Sequence, residues 1–282
     1  MKSFRSKVAA ITGAGSGMGR TLALSLARRG CHLALSDVDA TGLAETRRLV
    51  EALGGANPIT VTSRRLDVSD RADVTRWASE VMRDHARCNL IFNNAGISYG
   101  STVEGTEYED FEHIMNVNFW GVVHGTKAFL PHLRASGEGH VINTSSLFGL
   151  IAVPGQNTYN ASKFAVRGFT EALRIELDLM RAPVSATSVH PGGIKTNIAL
   201  ASKMHGSLKD LGFADVASVP GRFEKAFRVT AEDAAETILR GVERNAPRVL
   251  IGADAHILDW MQRLVPARYQ SLVVRAARRT IR

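Results

Sequence analysis

The stretch "KVAAITGAGSGMGR", residues 7–20, is the most informative about the fold. A short apolar run passes into a glycine-rich turn, and a helical pattern of apolar residues follows over residues 17–29. Glycines at such a turn allow positive φ and let a phosphate approach the backbone, while the free N–H groups of the helix N-terminus favour an anion. The stretch therefore predicts a strand and a helix joined by a nucleotide-binding turn.

The glycine spacing in this turn narrows the kind of site. It does not meet G-x-G-x-x-G, because Met18 occupies the third glycine's place. It meets T-G-x-x-x-G-x-G, with Gly13, Gly17 and Gly19. Two alternatives stay open, namely a tight turn that binds nothing and a site for a methyl-donor nucleotide.

The same alternation of strand and helix continues along the chain. Six further strand candidates are "HLALS", "PITVTSRRLDV", "NLIFNN", "GHVINTSS", "VSATSVHP" and "RVLIG", and helical patterns cover residues 40–54, 71–86, 106–134, 156–181 and 230–245. Strand runs without strict alternation indicate burial on both faces, as in a parallel sheet. We predict an α/β fold: a single Rossmann-type, doubly wound domain with a seven-stranded parallel sheet and helices on both faces.

Domain limits follow from where this alternation stops. Residues 1–252 are predicted to form the nucleotide-binding domain. Residues 194–225 break the pattern after the sixth strand, at the carboxyl edge of the sheet, where a substrate lid is expected. Residues 253–282 are predicted to be a C-terminal extension.

Composition and charge exclude several classes of protein. The chain of 282 residues is 45% hydrophobic and 22% charged, which is ordinary for a soluble globular protein. No apolar run approaches the roughly 18 residues that span a bilayer, and the N-terminus has no signal-peptide pattern, so we predict a cytoplasmic protein. Cys31 and Cys88 are predicted to be structural thiols, and neither they nor the histidines have metal-ligand spacing.

The net charge of +8 is concentrated at the C-terminus. No acidic residue follows Asp259, whereas six arginines do, which leaves about +2 for the rest of the chain. We therefore predict a near-neutral domain with a basic tail and no nucleic-acid partner.

The residue at the tip of the second strand candidate indicates which dinucleotide is bound. This strand ends in "LALSDVD", residues 33–39, so that Asp37 stands at the strand tip. A carboxylate there accepts hydrogen bonds from both hydroxyls of an adenosine ribose and repels a 2′-phosphate. Asp37 therefore favours NAD over NADP. Position 16, just before Gly17, points the same way, because it is a serine and not a basic residue. The alternative for Asp37 is a helix N-cap, although Asp39 is the better candidate for that role.

Six further motifs follow in order. They are "RLDVSD" with Asp67 and Val68, "NNAG" at 93–96, "NVNFWG" with Asn118, "INTSS" with Ser145 and Ser146, "YNASK" with Tyr159 and Lys163, and "HPGGIKT" at 190–196. Each is weak alone. In this order and at these spacings, the chain resembles the short-chain dehydrogenase/reductase family from about residue 7 to about residue 251.

The resemblance implies a role for each matching residue. Tyr159 resembles the catalytic acid/base, and Lys163 its partner, which also binds the nicotinamide ribose. Ser146, thirteen residues before Tyr159, resembles the substrate-orienting serine, with Ser145 as the alternative. Asn118 resembles the asparagine that holds a water in the proton relay. The implied cofactor site comprises Gly13, Ser16, Gly17, Met18, Gly19, Asp37, Asp67, Val68, Asn94, Ala95, Gly96, Tyr159, Lys163, Pro191, Gly192, Ile194 and Thr196. Family members also form homodimers or homotetramers through helices that match residues 106–134 and 156–181.

The chemistry also follows from the residues. Tyr159 and Lys163 are four residues apart, on one face of a helix. A free Tyr has a pKa of about 10, and we expect the nearby Lys cation and the positive nicotinamide ring to lower that pKa toward the working pH. Tyr159 could then remove the hydroxyl proton of an alcohol while a hydride leaves to the nicotinamide.

The predicted pocket residues are largely apolar: Ile97, Leu147, Phe148, Val153, Gly193, Ile198, Leu200 and Met204. We therefore predict an oxidoreductase that transfers hydride between NAD(H) and a hydrophobic secondary alcohol or ketone. The alternatives are an NADP-dependent ketone reductase of the same family and a non-catalytic dinucleotide-binding regulatory protein.

The tail "WMQRLVPARYQSLVVRAARRTIR", residues 260–282, reads as a basic amphipathic helix after Pro266. Arg268, Arg275, Arg279 and Arg282 share one face, and Tyr269, Leu272, Val273 and Ala276 share the adjacent face. Three roles stay open: packing on a neighbouring subunit, capping the substrate pocket, and contact with an anionic membrane.

Overall fold

The computed structural model describes residues 1–53 and 58–281, apart from the side chains of residues 223, 225, 226 and 279–281. Three sequence predictions fall outside the described part: the end of the second helix at residue 54, the side chain of Arg279, and Arg282.

Seven parallel strands form the main sheet, as the sequence predicted. They are β1 (Val8–Thr12), β2 (His32–Asp37), β3 (Val61–Arg65), β4 (Leu90–Asn93), β6 (Gly139–Thr144), β7 (Val184–Pro191) and β9 (Arg248–Ile251). Their order across the sheet is β3-β2-β1-β4-β6-β7-β9. The direction of winding therefore reverses between β1 and β4, which leaves a crevice at the carboxyl ends of these two strands.

Both faces of the sheet are buried. Ala9 and Ile11 of β1 belong to the core cluster on one face, whereas Val8 and Ala10 belong to the cluster on the other. Strand side chains alternate between the faces, so a strand buried on both needs a continuous apolar run. On the second face Trp77 packs edge-on against Phe129, with ring centroids 5.1 Å apart.

The helices follow the predicted alternation: α1 (Gly17–Arg28), α2 (Ala40–Ala52), α3 (Arg71–His85), α4 (Tyr108–Met115), α5 (Gly121–Ala135), α6 (Asn157–Leu179) and α8 (Ala231–Glu243). The sequence predicted one uninterrupted helical pattern over residues 106–134, whereas the structure has two α-helices there. A π-helical turn, Asn116–Trp120, separates α4 from α5. Such turns are frequent at functional sites because they shift the side chains that follow.

The segment predicted as a lid has structure of its own. Its β8 (Lys203–Met204) pairs in parallel with β5 (Tyr99–Gly100), a short strand that follows β4. A 3₁₀ helix, Gly206–Leu211, and α7 (Val219–Ala226) complete it. The segment is thus tied to the loop after β4, beside the carboxyl ends of the strands.

Two helices follow the sheet, α9 (Ala253–Leu264) and α10 (Tyr269–Ile281). Tyr269 is buried with Leu147, Ile151 and Ala255, and its hydroxyl accepts a hydrogen bond from the backbone N–H of Ala152 at 3.3 Å. One face of the extension therefore covers the loop after β6 of its own chain. Of the predicted apolar face, Tyr269 and Val273 point inward, whereas Leu272 is 44% exposed.

No helix in the described ranges has both the length and the apolarity to cross a membrane. Cys31 and Cys88 are free thiols in the core, and burial raises the pKa of both, that of Cys88 to about 12.

Candidate active site

A cavity of about 480 Å³ lies along the carboxyl ends of the strands. The predicted site residues that line it are Gly13, Ser16, Gly17, Met18, Asp37, Asp67, Val68, Asn94, Ala95, Gly96, Ser146, Tyr159, Lys163, Pro191, Gly192, Ile194 and Thr196. Gly19 and Asn118 are not among the lining residues. The fold thus gathers into one crevice residues that are spread over most of the sequence.

The glycine-rich turn has the shape that an approaching phosphate needs. Gly13 and Gly17 have φ of +66° and +49°, and a Cβ on Gly13 would lie 2.8 Å from the Cα of Ala95. Ser16 is the N-cap of α1, but its side chain makes no capping hydrogen bond, and the first turn carries no acidic residue. The N-terminal N–H groups of α1 therefore face the cavity without a counter-charge, which fits a dinucleotide pyrophosphate.

Gly19 lies in the first turn of α1, where it packs against the backbone of Gly13. A Cβ at this position would overlap the carbonyl oxygen of Gly13, so only glycine lets α1 pack this closely. We expect Gly19→Ala to displace the turn and weaken NAD binding by at least about tenfold, which isothermal titration calorimetry would measure. Gly221→Ala is the matched control, because a Cβ there meets no atom within 4 Å. Equal NAD affinity in the two variants would contradict this role for Gly19.

Asp37 lies at the tip of β2, as predicted. Its carboxylate accepts hydrogen bonds from the backbone N–H groups of Gly15 at 2.7 Å and Asp39 at 2.9 Å. The alternative role as a helix cap falls to Asp39, which caps α2 by accepting from Thr41 N–H at 3.0 Å. Asp37 is therefore held in place by the glycine turn, with its remaining lone pairs directed at the cavity region it lines.

Thr12 fixes the turn that carries Asn94 to Gly96. Its hydroxyl accepts from the backbone N–H groups of Asn94 at 3.0 Å and Ala95 at 3.1 Å, and donates to the carbonyl of Phe92 at 3.3 Å. Sequence reasoning treated Thr12 only as the start of the glycine motif. Its place at a strand end, directly before Gly13, was the available signal for a side chain that bonds a neighbouring loop.

Tyr159 and Lys163 lie on one face of α6, as predicted from their spacing. The Nζ of Lys163 is 5.5 Å from the Tyr159 ring centroid and donates to the carbonyl of Thr144 at 2.9 Å. Burial lowers the pKa of Lys163 to about 8. Burial also raises the pKa of Tyr159, although a hydrogen bond with the Ser146 side chain opposes this. Among the protein's own groups, desolvation thus outweighs the lowering of the Tyr159 pKa that the sequence led us to expect.

The two candidate serines have different environments. The Ser145 hydroxyl donates to the carbonyl of Lys163 at 2.7 Å and is buried. Ser146 caps the 3₁₀ turn Leu147–Gly149 by accepting from Phe148 N–H at 3.1 Å, and it also bonds Tyr159. The Ser145 hydroxyl is thus committed to the backbone of α6, whereas the Ser146 side chain lies beside Tyr159, and the substrate-orienting role stays a prediction.

His190 supports Ser146 from behind, a role that sequence reasoning missed. Its Nδ1–H donates to the carbonyl of Ser146 at 2.9 Å, and its Nε2 accepts from the Ser188 hydroxyl at 2.9 Å. Burial lowers the pKa of His190 to about 4, so the ring is neutral at pH 7 and keeps one tautomer. The backbone of Ser146 is thereby fixed relative to Tyr159.

Asn118 lies in the π-helical turn and is fully buried. Its Oδ1 accepts from Ile97 N–H at 2.8 Å, and its Nδ2 donates to the Ile97 carbonyl at 2.9 Å and to the Ser162 hydroxyl at 3.1 Å. The side chain thus holds the cavity wall at Ile97 and does not itself line the cavity. Its predicted role in holding a relay water stays a prediction.

The substrate side of the cavity is mainly apolar. Of the residues predicted there, Ile97, Leu147, Phe148, Gly193, Ile198 and Met204 line it. The predictions for Val153 and Leu200 are wrong, because Val153 packs toward the C-terminal helices and Leu200 is 50% exposed outside the lining. The cavity is also lined by four polar residues that had not been predicted there, Ser98, His113, Gln156 and Ser202.

The C-terminal extension also reaches the loop after β7. Asp254 accepts a hydrogen bond from the backbone N–H of Gly193 at 2.7 Å. On the other side, a Cβ on Gly193 would collide with the ring of Phe227, another lining residue. The loop that follows Pro191 is therefore held between α9 and the segment after α7.

A doubly wound parallel sheet with this crevice and this glycine turn is typical of a nucleotide-binding protein. The chain belongs to the short-chain dehydrogenase/reductase family, since the model of the short chain dehydrogenase family matches residues 7–205. Family and site together make it an NAD(P)-dependent dehydrogenase or reductase.

Individual relatives agree with this assignment. The chain is 50% identical over 274 residues to a Mycobacterium tuberculosis protein named "Putative oxidoreductase SadH", covering 97% of this chain and 96% of the relative. A Burkholderia phymatum short-chain dehydrogenase/reductase, solved in complex with NAD, is 29% identical, with a TM-score of 0.84 and coverage of 98% and 97%. Levodione reductase is 26% identical, with a TM-score of 0.77 and coverage of 90% and 98%.

Proposed function

We propose that the protein transfers hydride between NAD(H) and a hydrophobic secondary alcohol or ketone, with Tyr159 as acid/base. The observation that carries this proposal is that Tyr159, Ser146 and Lys163 line a single cavity that has two kinds of lining. One part is formed by the glycine turn and strand ends, and the other has an apolar lining. Formation of NADH from a panel of secondary alcohols tests the proposal.

The residues divide the chemistry among them. The Ser146 hydroxyl orients the substrate oxygen, and Tyr159 takes the hydroxyl proton in oxidation or returns it in reduction. NAD⁺, when bound, would supply the hydride acceptor. Lys163, buried beside the phenol, stabilises phenolate when protonated and would hold the nicotinamide ribose. The apolar wall of Leu147, Phe148 and Ile198 excludes water and favours an apolar substrate.

Asp37 supports NAD as the cofactor over NADP, because its carboxylate would repel a 2′-phosphate. We expect Asp37→Ala to lower the preference for NAD, expressed as a ratio of kcat/KM values, by about a hundredfold. Asp39→Ala is the control, since Asp39 caps α2 and should affect stability instead. A preference that stays unchanged in Asp37→Ala would remove Asp37 from cofactor selection and reopen the NADP-dependent alternative.

We further propose a homodimer or homotetramer assembled through α6. An exposed stripe runs along this helix at spacings of three and four residues: Phe164, Gly168, Ala172, Ile175 and Leu179. Ile175 and Leu179 are 60% and 80% exposed. The small residues Gly168 and Ala172, which precede them on the same stripe, would let a second helix approach closely.

We expect the double variant Ile175→Asp with Leu179→Asp to lower the mass in solution, measured by light scattering, because two like charges would be forced into the contact. Val103→Asp is the control, at an exposed apolar residue outside the stripe. A wild-type protein that is monomeric, or a double variant of unchanged mass, would contradict this interface.

Two further sequence predictions belong to this proposal. Residues 194–225 would act as the substrate lid, supported by Ile198 and Met204 in the lining and by the pairing of β8 with β5. A cytoplasmic location is compatible with the free thiols Cys31 and Cys88, since disulfides are rare in reducing compartments.

A further inference from the structure

The outer face of α9 carries an apolar stripe. Ile257, Trp260 and Leu264 follow one another at i, i+3 and i+7 and are 65%, 63% and 72% exposed. The opposite face contributes Ala255 and Asp259, which are buried against the protein body. Three large apolar side chains on one exposed helical face are the pattern of a docking surface.

The outer face of α10 is basic. Arg275 and Arg278 on α10, and Arg268 in the turn directly before it, are exposed, and none of them forms an ion pair with any residue that the structure describes. Arg263, at the end of α9, does pair with Asp259 at 2.8 Å. Because no acidic residue follows Asp259 in the sequence, the positive charge of α10 is not balanced within its own segment.

Both helices direct these faces away from the body. Leu258, Met261 and Val265 of the α9 segment and Tyr269 and Val273 of α10 pack inward on the loop after β6. We name the outer surface of Ile257, Trp260, Leu264, Arg268, Arg275 and Arg278 the tail face.

The charge on the tail face selects among its potential occupants. A second copy of this chain, docked by the same face, would bring two arginine clusters together at a cost from like-charge repulsion. An anionic bilayer satisfies both features, because lipid phosphates pair with arginine and the interfacial region accepts Trp, Ile and Leu side chains. We propose that the tail face docks on an anionic lipid surface.

This contact would place the substrate wall close to the membrane. Leu147 and Phe148 line the cavity and also pack against the inner side of α9 and α10. The inner side of the docking helices α9 and α10 therefore packs directly on the residues that form the substrate wall. Resting on the proposed function, this arrangement identifies the substrate class as an apolar alcohol or ketone that partitions into the bilayer.

Sedimentation with vesicles tests the docking without cofactor or substrate. The full chain should bind vesicles of phosphatidylglycerol and phosphatidylcholine, and binding should fall with added salt and be at least about tenfold weaker on pure phosphatidylcholine. The triple variant Ile257→Ser, Trp260→Ser, Leu264→Ser should lose at least about tenfold in partitioning. Arg275→Gln and Arg278→Gln should each lose about fivefold. Val103→Ser with Tyr108→Ser, at exposed apolar residues elsewhere, should bind as the wild type does.

Three outcomes would overturn the proposal. They are equal binding to neutral and anionic vesicles, a triple variant that binds like the wild type, and a triple variant that only dissociates an oligomer, which would make the tail face a subunit contact. Because vesicle binding is measured without turnover, it can succeed or fail independently of the proposed oxidoreductase activity.

Discussion

Tyr159→Phe is expected to lower kcat for alcohol oxidation by about a thousandfold, because the phenol is the group proposed to take the proton of the substrate hydroxyl. The change removes one oxygen atom. Phe would keep the edge-on contact with Phe148, in which the ring centroids are 6.2 Å apart and the planes meet at 88°. The fold and the affinity for NAD should therefore be retained.

A Tyr→Phe change at an exposed position away from the cavity is the control for Tyr159→Phe. Tyr108 is 84% exposed on α4, so Tyr108→Phe should have the kcat of the wild type. NAD affinity, measured by calorimetry on all three proteins, separates loss of chemistry from loss of the site. A Tyr159→Phe variant that retains more than about a tenth of wild-type kcat would contradict the role of the phenol as acid/base.

Lys163→Met is expected to lower kcat by at least about a hundredfold and to shift the rise of kcat with pH upward by about one unit or more. Burial raises the pKa of Tyr159, and Lys163 is the buried cation beside the phenol that would favour its ionised form. Without that cation, phenolate forms only at higher pH. Lys127→Met is the control, since Lys127 is exposed on α5. An unshifted pH profile of kcat would contradict this role of Lys163.

The same variant makes a prediction about stability that does not depend on activity. The pKa of Lys163 falls from 10.5 to about 8 on folding, so between these values the unfolded chain binds more protons than the folded one. The free energy of unfolding of the wild type should therefore rise with pH across this window, relative to Lys163→Met. Denaturant unfolding at a series of pH values measures the difference. A flat difference would show that Lys163 is not desolvated as the structure indicates.

The sheet and most of the cofactor site could be predicted from sequence because their signals are local. Most of the seven strands contain a short apolar or β-branched run, and β3 (Val61–Arg65), at the sheet edge, is the most polar of them. Strand ends of a parallel sheet meet at one edge, so the motifs after β1, β4 and β6 had to converge. Tyr159 and Lys163 needed only the periodicity of one helix.

The features that were not predicted from sequence depend on contacts between residues that are far apart along the chain. The bond from His190 to Ser146 spans 44 positions, and that from Ala152 to Tyr269 spans 117. The π-helical turn Asn116–Trp120 has no signature in its residues, and the side chain of Asn118 within it donates to Ile97 and Ser162, which are 21 and 44 positions away in the sequence. Leu200 was wrongly placed in the cavity because apolarity alone does not tell which way a side chain in an irregular segment points.

The oxidoreductase assignment with Tyr159 as acid/base is decided by NADH formation, followed spectroscopically, when the purified protein is given NAD and a panel of apolar secondary alcohols. We expect turnover of at least one such alcohol, a higher kcat/KM with NAD than with NADP, and loss of that turnover in Tyr159→Phe. Tight NAD binding without turnover of any alcohol, and without reduction of the corresponding ketones by NADH, would contradict it and leave a non-catalytic dinucleotide-binding protein.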